Sequence, residues 1–467
     1  MHAPAGEHSQ ASTALNGGDG TFSPTRRGLL LGAGSLPAGV LAWGAMAEGS
    51  GAVLRAGTGA TFRLEASTTV SRDRLDKEAG KAFPLFNQNS VLPAFDVAKQ
   101  GAESDVVLHR IVTKTKVPET GEVLDVTGLL AVPAAASGSL PVVSWQHGTI
   151  LSFDQVPSNL TRLSAPDYAL SDDADSLETL FNIHRFASHG FAVIAADYVG
   201  KGPLRNGRGE AYAVKAVTTQ TCIDMLKAGL SALRDQKLEP GKLFLNGWSQ
   251  GALNTQWLHQ ALRTDGVAIE ATVVASPFND LSESWSFWAG RENFPLPTGA
   301  DSYPEIPAWV SLCMIVALGS YELQYGLTGL LESAIRPEYH AMARKYWNDY
   351  STDFDRSKHF PSGATLHVDG FFERYTDDRN SEFLRRLAAN RASYWDYDSP
   401  IRFCYGLADE AIHPAMVQRP LAAGGKLVTG LAVKGASHRA TFLAGLYGDT
   451  SILDGHGNSL TWFKSLA

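Results

Sequence analysis

The chain has 467 residues, of which 44% are hydrophobic and 19% are charged, and its formal net charge is −8. This length and composition are those of a globular protein with a large buried core, in one elaborated domain or in two average ones. The acidic charge, together with the lack of a basic stripe or an RNA-binding motif, argues against a nucleic-acid partner.

The N-terminal segment has the composition of an export signal. Arg26 and Arg27 precede a modestly apolar run that leads to Ala45-Met46-Ala47, an A-x-A cleavage pattern, and the whole resembles a bacterial twin-arginine signal. The run contains Gly32, Gly34 and Pro37, so it is too short and too broken for a stable membrane span. We therefore predict that residues 1–47 are removed and that residues 48–467 are exported, to the periplasm or beyond the cell. The alternative is an ordinary disordered N-terminus.

The three cysteines, Cys222, Cys313 and Cys404, are far apart and match no metal-binding spacing. Outside the cytoplasm one pair could form a disulfide, and buried free thiols are equally compatible with the sequence. The chain also lacks CxxC and HExxH motifs and any clustered set of histidine and aspartate. The sequence therefore predicts neither a metal site nor another cofactor.

Seven apolar runs predict buried strands: Val123–Val132, Leu140–Trp145, Phe191–Ala196, Lys242–Asn246, Ala271–Ala275, Ile401–Tyr405 and Lys426–Val433. Helical patterns lie between many of them, including Asp175–Gly190 and Thr219–Gln236. Strands that alternate with helices predict an α/β domain with a mostly parallel sheet and helices on both faces. Residues 48–105 are less informative and are interpreted as a lead-in to this domain.

The alternation stops after Phe278 and resumes at residue 400. The intervening region, at about residues 281–395, is rich in aromatic residues and contains three helix-like segments, 306–326, 336–350 and 378–395. Because the strand pattern resumes afterwards, we predict a helical insertion over the edge of the sheet. A separate helical domain is the alternative.

A G-x-S-x-G motif, Gly247-Trp248-Ser249-Gln250-Gly251, lies between an apolar strand pattern and a helix pattern. A strand–turn–helix context is what such a motif needs to present its serine as a nucleophile. The tight turn holds the serine in a sparsely populated backbone conformation, and the helix N-terminus favours negative charge beside it. Ser249 is therefore the candidate nucleophile.

A serine hydroxyl is a weak nucleophile unless a base accepts its proton. His438 follows the last predicted strand, and Asp409 follows the strand before it, 29 residues earlier. Loops at the carboxyl ends of strands form the ligand sites of open α/β sheets. Ser249, Asp409 and His438 are therefore predicted as nucleophile, orienting acid and base, in the chain order that this motif requires.

Several polar residues compete with these assignments. His413 is a rival base, but it lies only four residues after Asp409, too close for the usual separate loops. Glu410 and Asp280 are rival acids. Asp197 is interpreted as a structural residue that holds its glycine-rich loop. The loop that follows, Gly200–Gly209, lacks the spacing of a phosphate-binding motif and is interpreted as flexible.

The sequence also predicts an oxyanion hole. A predicted strand ends in His147-Gly148-Thr149, and a loop of this type offers a backbone N–H, here that of Thr149. The second donor is the backbone N–H of Gln250, directly after the nucleophile. The Gln250 side chain is therefore predicted to be replaceable, and His147 is expected to tether its loop by hydrogen bonding.

Taken together, five motifs resemble those of the α/β-hydrolase superfamily, and more narrowly those of secretory lipases and related lidded bacterial serine esterases: HGT (147–149), DYVGKG (197–202), GWSQG (247–251), GLADE (406–410) and GASH (435–438). The similarity covers about residues 106–467. It implies an α/β-hydrolase fold with a helical lid, and it matches Asp409 to the acid of a G-x-x-D loop.

The resemblance implies a secreted hydrolase that cleaves small, lipid-like or polymeric carboxylic esters through an acyl-enzyme. A peptidase or amidase on the same fold is the alternative. Such an enzyme would bind a free amine through acidic lid residues, for which Glu305, Glu322 and Glu332 are candidates. A non-catalytic binding protein is a third class, disfavoured because all three positions of the triad are filled.

Overall fold

A mixed sheet of nine strands lies at the centre of the part of the chain that the structure describes. The structure is a computed structural model, and it describes residues 61–351, 361–377, 381–393 and 395–467. The predicted export signal lies outside these residues. All of the described residues belong to one compact unit, Gly51–Ala467, so the predicted insertion falls in the same unit as the sheet.

The strands are β1 (Phe62–Val70), β2 (Val106–Lys116), β3 (Val123–Pro133), β4 (Ser139–Gln146), β5 (Ala192–Ala196), β6 (Glu239–Trp248), β7 (Ala271–Ala275), β8 (Ile401–Gly406) and β9 (Val428–Val433). Their spatial order is β1-β2-β3-β5-β4-β6-β7-β8-β9. The first three pairings are antiparallel, and the remaining five are parallel. The prediction of a mostly parallel sheet is confirmed.

The helices are α1 (Arg72–Phe86), α2 (Val97–Gln100), α3 (Leu177–Arg185), α4 (Lys215–Asp235), α5 (Gln250–Thr264), α6 (Leu281–Trp288), α7 (Val310–Tyr325), α8 (Leu330–Ala334), α9 (His340–Asp349), α10 (Gly363–Leu366), α11 (Phe371–Asp377), α12 (Glu382–Ala389), α13 (Pro414–Ala423), α14 (His438–Tyr447) and α15 (Ser459–Leu466). Apolar residues of α4 and α5 pack in one buried cluster, and those of α1, α3, α14 and α15 pack in another.

The two apolar clusters lie on opposite faces of the sheet. Successive residues of a strand point to opposite faces, and in β3 Leu129 belongs to one cluster while Leu130 belongs to the other. Both side chains are fully buried. Burial of a leucine side chain contributes about 1.5–3 kcal/mol to folding stability. In a sheet covered on both sides, apolar side chains at every position of the central strands can therefore stabilise the fold. The prediction of helices on both faces is confirmed.

Two strands were not anticipated from the sequence. β1 lies within the segment interpreted as a lead-in, and β2 begins directly after it. β1 is an edge strand, and most of the residues between its two ends are exposed. A strand with so many exposed positions has no continuous apolar run in its sequence. In β2, His109 and Arg110 interrupt the apolar run. Both strands pair in antiparallel fashion, where one solvated face is allowed, and this explains their weaker hydrophobic signal.

Helices α6 to α12 lie between β7 and β8, which are neighbours in the sheet. The predicted helical segments correspond to α7, α9 and α12. In α7, 13 of 16 residues are buried, so this helix is the centre of the insertion. Its apolar side chains, such as Leu312 and Ile315, belong to the same cluster as those of α4 and α5. The insertion therefore packs on that face of the sheet.

All three cysteines are buried free thiols, so the disulfide left open by the sequence is not formed. Burial raises the pKa of Cys222, Cys313 and Cys404 to about 12 in each case, which keeps them protonated. Among the described residues, no helix combines the length and the apolar composition that crossing a bilayer requires. In the same part of the chain, no group of histidine, cysteine and acidic residues is arranged to hold a metal ion.

Candidate active site

Ser249 occupies a tight turn between β6 and α5. Its backbone angles are φ 57° and ψ −120°, a region that non-glycine residues rarely adopt, and its N–H donates to the carbonyl of Ala275 at 2.9 Å. A Cβ atom on Gly251 would lie 1.9 Å from the carbonyl oxygen of Gln146, and one on Gly247 would lie 2.2 Å from Oγ1 of Thr255. Both glycines of the motif are therefore required, because the turn passes so close to its neighbours.

The structure brings Asp409 and His438 into direct contact. Asp409 follows β8, and His438 is the first residue of α14, just after β9. Nδ1 of His438 lies 3.0 Å from each carboxylate oxygen of Asp409. The Asp409 Oδ1 atom also accepts hydrogen bonds from the backbone N–H groups of Ala411, at 3.1 Å, and Ile412, at 2.9 Å. The acid is thus fixed by its own loop while it faces the imidazole.

The electrostatics of this pair suit a general base. Burial of the imidazole lowers the pKa of His438, but the charge and the hydrogen bond of Asp409, with a contribution from Glu410, outweigh burial and raise that pKa above its ordinary value of 6.5. Asp409 is 1% exposed and His438 is 4% exposed, so water screens their attraction little. The arrangement holds a proton on Nδ1 and leaves Nε2 to accept another.

The rival residues take other positions. Glu410 accepts a hydrogen bond from the backbone N–H of His438 at 3.0 Å, and no bond to the ring is found in the described structure. His413 caps α13 and packs against the rings of Phe294 and Tyr303, at centroid distances of 4.8 and 4.4 Å. Asp280 caps α6, where it accepts from two backbone N–H groups. None of the three replaces Asp409 or His438.

Ser249 and His438 line one cavity of about 350 Å³, near the lower end of the range for ligand pockets. The indole ring of Trp248 lies 5.0 Å from the His438 ring, and that of Trp309, which precedes α7, lies 6.3 Å from it. Trp248 also packs on Phe442, with ring centroids 5.1 Å apart. The cavity is further lined by polar side chains: Gln88, Thr149, Gln155, Asp172, Asp173, Glu410 and Arg439.

Thr149 and Gln250, the predicted oxyanion donors, lie at the ends of β4 and β6. Thr149 follows β4 and lines the cavity, and its side-chain hydroxyl lies 2.8 Å from the hydroxyl of Tyr212. Gln250 is the first residue of α5. Within the described residues, neither backbone N–H donates a hydrogen bond to the protein. Both donors are thus available to a ligand.

His147 and Asp197 have structural surroundings. The His147 ring is fully buried and stacks on Tyr198 at 4.1 Å, and burial lowers its pKa to about 4. Its Nδ1 lies 2.8 Å from the carbonyl oxygen of Gly148. Asp197 accepts hydrogen bonds from the side chain of Thr127 and from both the N–H and the hydroxyl of Ser158. Asp197 thus ties its loop to β3, and the His147 ring packs against Tyr198, the residue after Asp197.

A buried ion pair beside the site was missed in the sequence. Nζ of Lys201 lies 3.0 Å from Oε2 of Glu210, and the two side chains are 0% and 2% exposed. Lys201 lies in the glycine-rich loop Gly200–Gly209, which the sequence predicts to be flexible, and the structure buries this lysine among polar partners. The Gln250 side chain is also buried, and its Nε2 donates to Glu210 at 3.4 Å. The one available signal was the position of Lys201, four residues after Asp197 at the end of β5.

The sheet order, the strand–turn–helix at Ser249 after β6 and the positions of Asp409 and His438 after the last two strands are those of an α/β-hydrolase fold. Solved structures share this fold over most of the chain. A provisionally assigned hydrolase from Legionella pneumophila has a TM-score of 0.67 at 16% identity, covering 87% of this chain and 97% of its own. No protein-family model and no curated protein matches the chain.

Two further structures with this fold are an esterase and a lipase. The rice cell wall degrading esterase LipA from Xanthomonas oryzae has a TM-score of 0.63 at 20% identity, covering 82% of this chain and 94% of its own. Candida antarctica lipase A in its closed state has a TM-score of 0.54 at 12% identity, covering 80% and 77%. At these identities the likeness establishes the fold, and the predicted resemblance to hydrolases of this kind is confirmed at that level.

Proposed function

We propose that the protein is an exported serine hydrolase that cleaves carboxylic esters through an acyl-enzyme. The observation that carries the proposal is the contact between His438 and Asp409 at 3.0 Å, with His438 and Ser249 lining one cavity. The esterase and lipase among the similar structures support an ester as the substrate. The twin-arginine-like segment at residues 1–47 supports export.

In the proposed mechanism, Nε2 of His438 takes the hydroxyl proton of Ser249 as Oγ attacks the ester carbonyl. Asp409 stabilises the imidazolium that forms. The N–H groups of Thr149 and Gln250 donate to the oxyanion of the tetrahedral intermediate. When the intermediate collapses, the C–O bond to the alcohol breaks and the alcohol leaves with the proton from His438. Water, deprotonated by His438, then attacks the acyl-enzyme and releases the acid and free Ser249.

We further propose that the helical insertion serves as a lid over this site. Trp309, at the start of α7, contributes a ring to the cavity wall, so part of the insertion already covers the substrate space. Removal of water from a reacting centre strengthens the electrostatic interactions within it. A lid in this position would therefore strengthen the stabilisation of the His438 imidazolium by Asp409.

The peptidase alternative has less support. Glu322 and Glu332, two of the three acids considered for binding an amine, both contact Arg344, at 3.2 and 2.5 Å. Glu305 lines a different cavity, beside His413. A comparison of p-nitrophenyl esters with aminoacyl p-nitroanilides tests this choice. Faster turnover of the anilides would favour the peptidase.

A Ser249→Ala variant tests the proposed function. We expect its kcat on p-nitrophenyl butyrate to fall by at least about a thousandfold, because loss of a triad nucleophile leaves only binding and oxyanion stabilisation. Ser276→Ala is a matched control: Ser276 is also buried at a strand end with positive φ, 49°, but it does not line the cavity. Full esterase activity in Ser249→Ala, or no labelling of Ser249 by a fluorophosphonate, would overturn the proposal.

A further inference from the structure

The buried Lys201–Glu210 pair has no role in the mechanism above. Burying two charges costs several kcal/mol per ion, and the attraction between them often only offsets this cost. A buried ion pair is therefore weak evidence for stability and raises the question of what it holds in place. The contacts of the two side chains answer that question.

Lys201 holds the segment that follows Thr149. Its Nζ atom donates to the carbonyl oxygens of Ile150, at 3.3 Å, and Ser152, at 3.2 Å, in addition to its contact with Glu210. These three acceptors match the three N–H donors of an ammonium group. Burial lowers the pKa of Lys201 to about 8, against the opposing effect of Glu210, which favours the charged form.

Glu210 holds the residue that follows the nucleophile. Its Oε1 atom accepts a hydrogen bond from Nε2 of Gln250 at 3.4 Å, and its Oε2 atom accepts one from the hydroxyl of Tyr350, at the end of α9. The Tyr350 ring also lies 3.6 Å from Nζ of Lys201, within cation–π range. The insertion thus closes the pair from one side while Gln250 contacts it from the other.

The same short segment makes a second contact with the loop after β4. Tyr212, two residues after Glu210, places its hydroxyl 2.8 Å from Oγ1 of Thr149. The segment therefore touches both residues whose backbone N–H groups are the oxyanion donors: Thr149 through Tyr212, and Gln250 through Glu210. Lys201 adds two bonds to the chain just beyond Thr149.

We propose that Lys201 and Glu210 are positioning residues that fix the distance between the two oxyanion donors, Thr149 and Gln250. The inference rests on the proposed function, because it assigns these N–H groups to an oxyanion hole. Oxyanion donors act when they are held at hydrogen-bond distance from the position the oxyanion will occupy. A displacement of about 1 Å in such a constellation can cost a hundredfold in rate.

The decisive variant is Lys201→Met/Glu210→Gln, which removes both charges and keeps similar side-chain volumes. Either single charge deletion would leave a buried charge unpaired, which is strongly destabilising and could prevent folding. The control is Asp76→Asn/His184→Gln, which removes a largely buried contact of 2.9 Å between the imidazole of His184 and Oδ1 of Asp76, neither of which lines the catalytic cavity. Burial lowers the pKa of His184, so this control removes a buried polar contact and one carboxylate charge. Tyr350→Phe is a milder variant, which removes only the hydrogen bond that the Tyr350 hydroxyl donates to Glu210.

We expect the double variant to stay folded and to lose about tenfold to a hundredfold in kcat on p-nitrophenyl butyrate, with KM within about threefold, because the lost interaction acts in the transition state. Amide exchange in a peptide covering residues 147–153 should rise about tenfold, since the two hydrogen bonds from Lys201 to Ile150 and Ser152 are gone. The control should change in thermal stability while its kcat stays within about twofold.

Three results would count against the inference. A folded double variant with wild-type kcat and wild-type exchange at 147–153 would overturn it. An equal loss of kcat in the Asp76→Asn/His184→Gln control would assign the effect to general destabilisation and overturn it as well. If the wild type hydrolyses no ester, the proposed function fails separately, and unchanged exchange in the double variant would then still refute the positioning role.

Discussion

The substitution Asp409→Asn tests the charge relationship at the centre of the proposed site. It keeps the shape of the side chain but removes the charge that faces the imidazole at 3.0 Å. With an effective dielectric constant of about 20, two unit charges at this distance attract each other by about 5.5 kcal/mol. Removal of that stabilisation from the imidazolium predicts a fall in kcat of about ten-thousandfold.

The same substitution should move the pH profile in a defined direction. The base must be neutral in the free enzyme, so kcat/KM is lost as the pH falls through the pKa of His438. Asp409 holds that pKa above 6.5 against the effect of burial. In the wild type the acid limb should therefore be centred above pH 6.5, and in Asp409→Asn it should move to lower pH.

The assay is the hydrolysis of p-nitrophenyl butyrate, measured as kcat/KM from about pH 4.5 to 9 in both forms. Asp280→Asn is the control, because Asp280 caps α6 and makes no contact with His438 among the described residues. It should leave the position of the acid limb unchanged. An acid limb that stays in place in Asp409→Asn, with kcat reduced less than about tenfold, would refute the assigned role of Asp409.

Two further predictions concern packing. Gly251→Ala should lower the free energy of unfolding, measured by thermal denaturation, by about 3 kcal/mol, because the new Cβ would lie 1.9 Å from a carbonyl oxygen. Gly445→Ala is the control. Gly445 lies in helix α14 and a Cβ there would make only an ordinary contact at 3.6 Å, so this change should be neutral or stabilising. The second prediction concerns the three cysteines, which are all buried and free: Cys222, Cys313 and Cys404. A thiol reagent should not modify them in the native protein and should detect three thiols after denaturation. Detection of fewer than three thiols would contradict the structure.

The parallel half of the sheet could be predicted because its strands are buried on both faces. A strand such as β7, Ala271–Ala275, is apolar at nearly every position, and the sequence pattern marks it directly. The antiparallel edge lacks this signal. In β1, polar and exposed residues occupy most positions, and its place is set by pairing with β2 over residues 62–70, which no local pattern reveals.

The candidate triad could be predicted because each member lies beside a short local signal. Ser249 lies between two glycines that its turn requires, and Asp409 and His438 each follow a strand in the expected order. The ion pair beside them depends on contacts between distant segments. Glu210 contacts Gln250, 40 residues away in the sequence, and Tyr350, 140 residues away. The local sequence around Lys201 shows neither contact and therefore resembles that of a solvated loop.

The helical insertion contributes to both sides of the proposed site. Trp309 lies beside His438 in the cavity, and Tyr350 binds Glu210, which in turn contacts Gln250. Changes in a lid are usually expected to alter which substrates enter, and so to act on KM. Because Tyr350 joins the network behind the proposed oxyanion donors, changes in this insertion should act on kcat as well, so we expect substrate choice and transition-state stabilisation to depend on the same segment of chain.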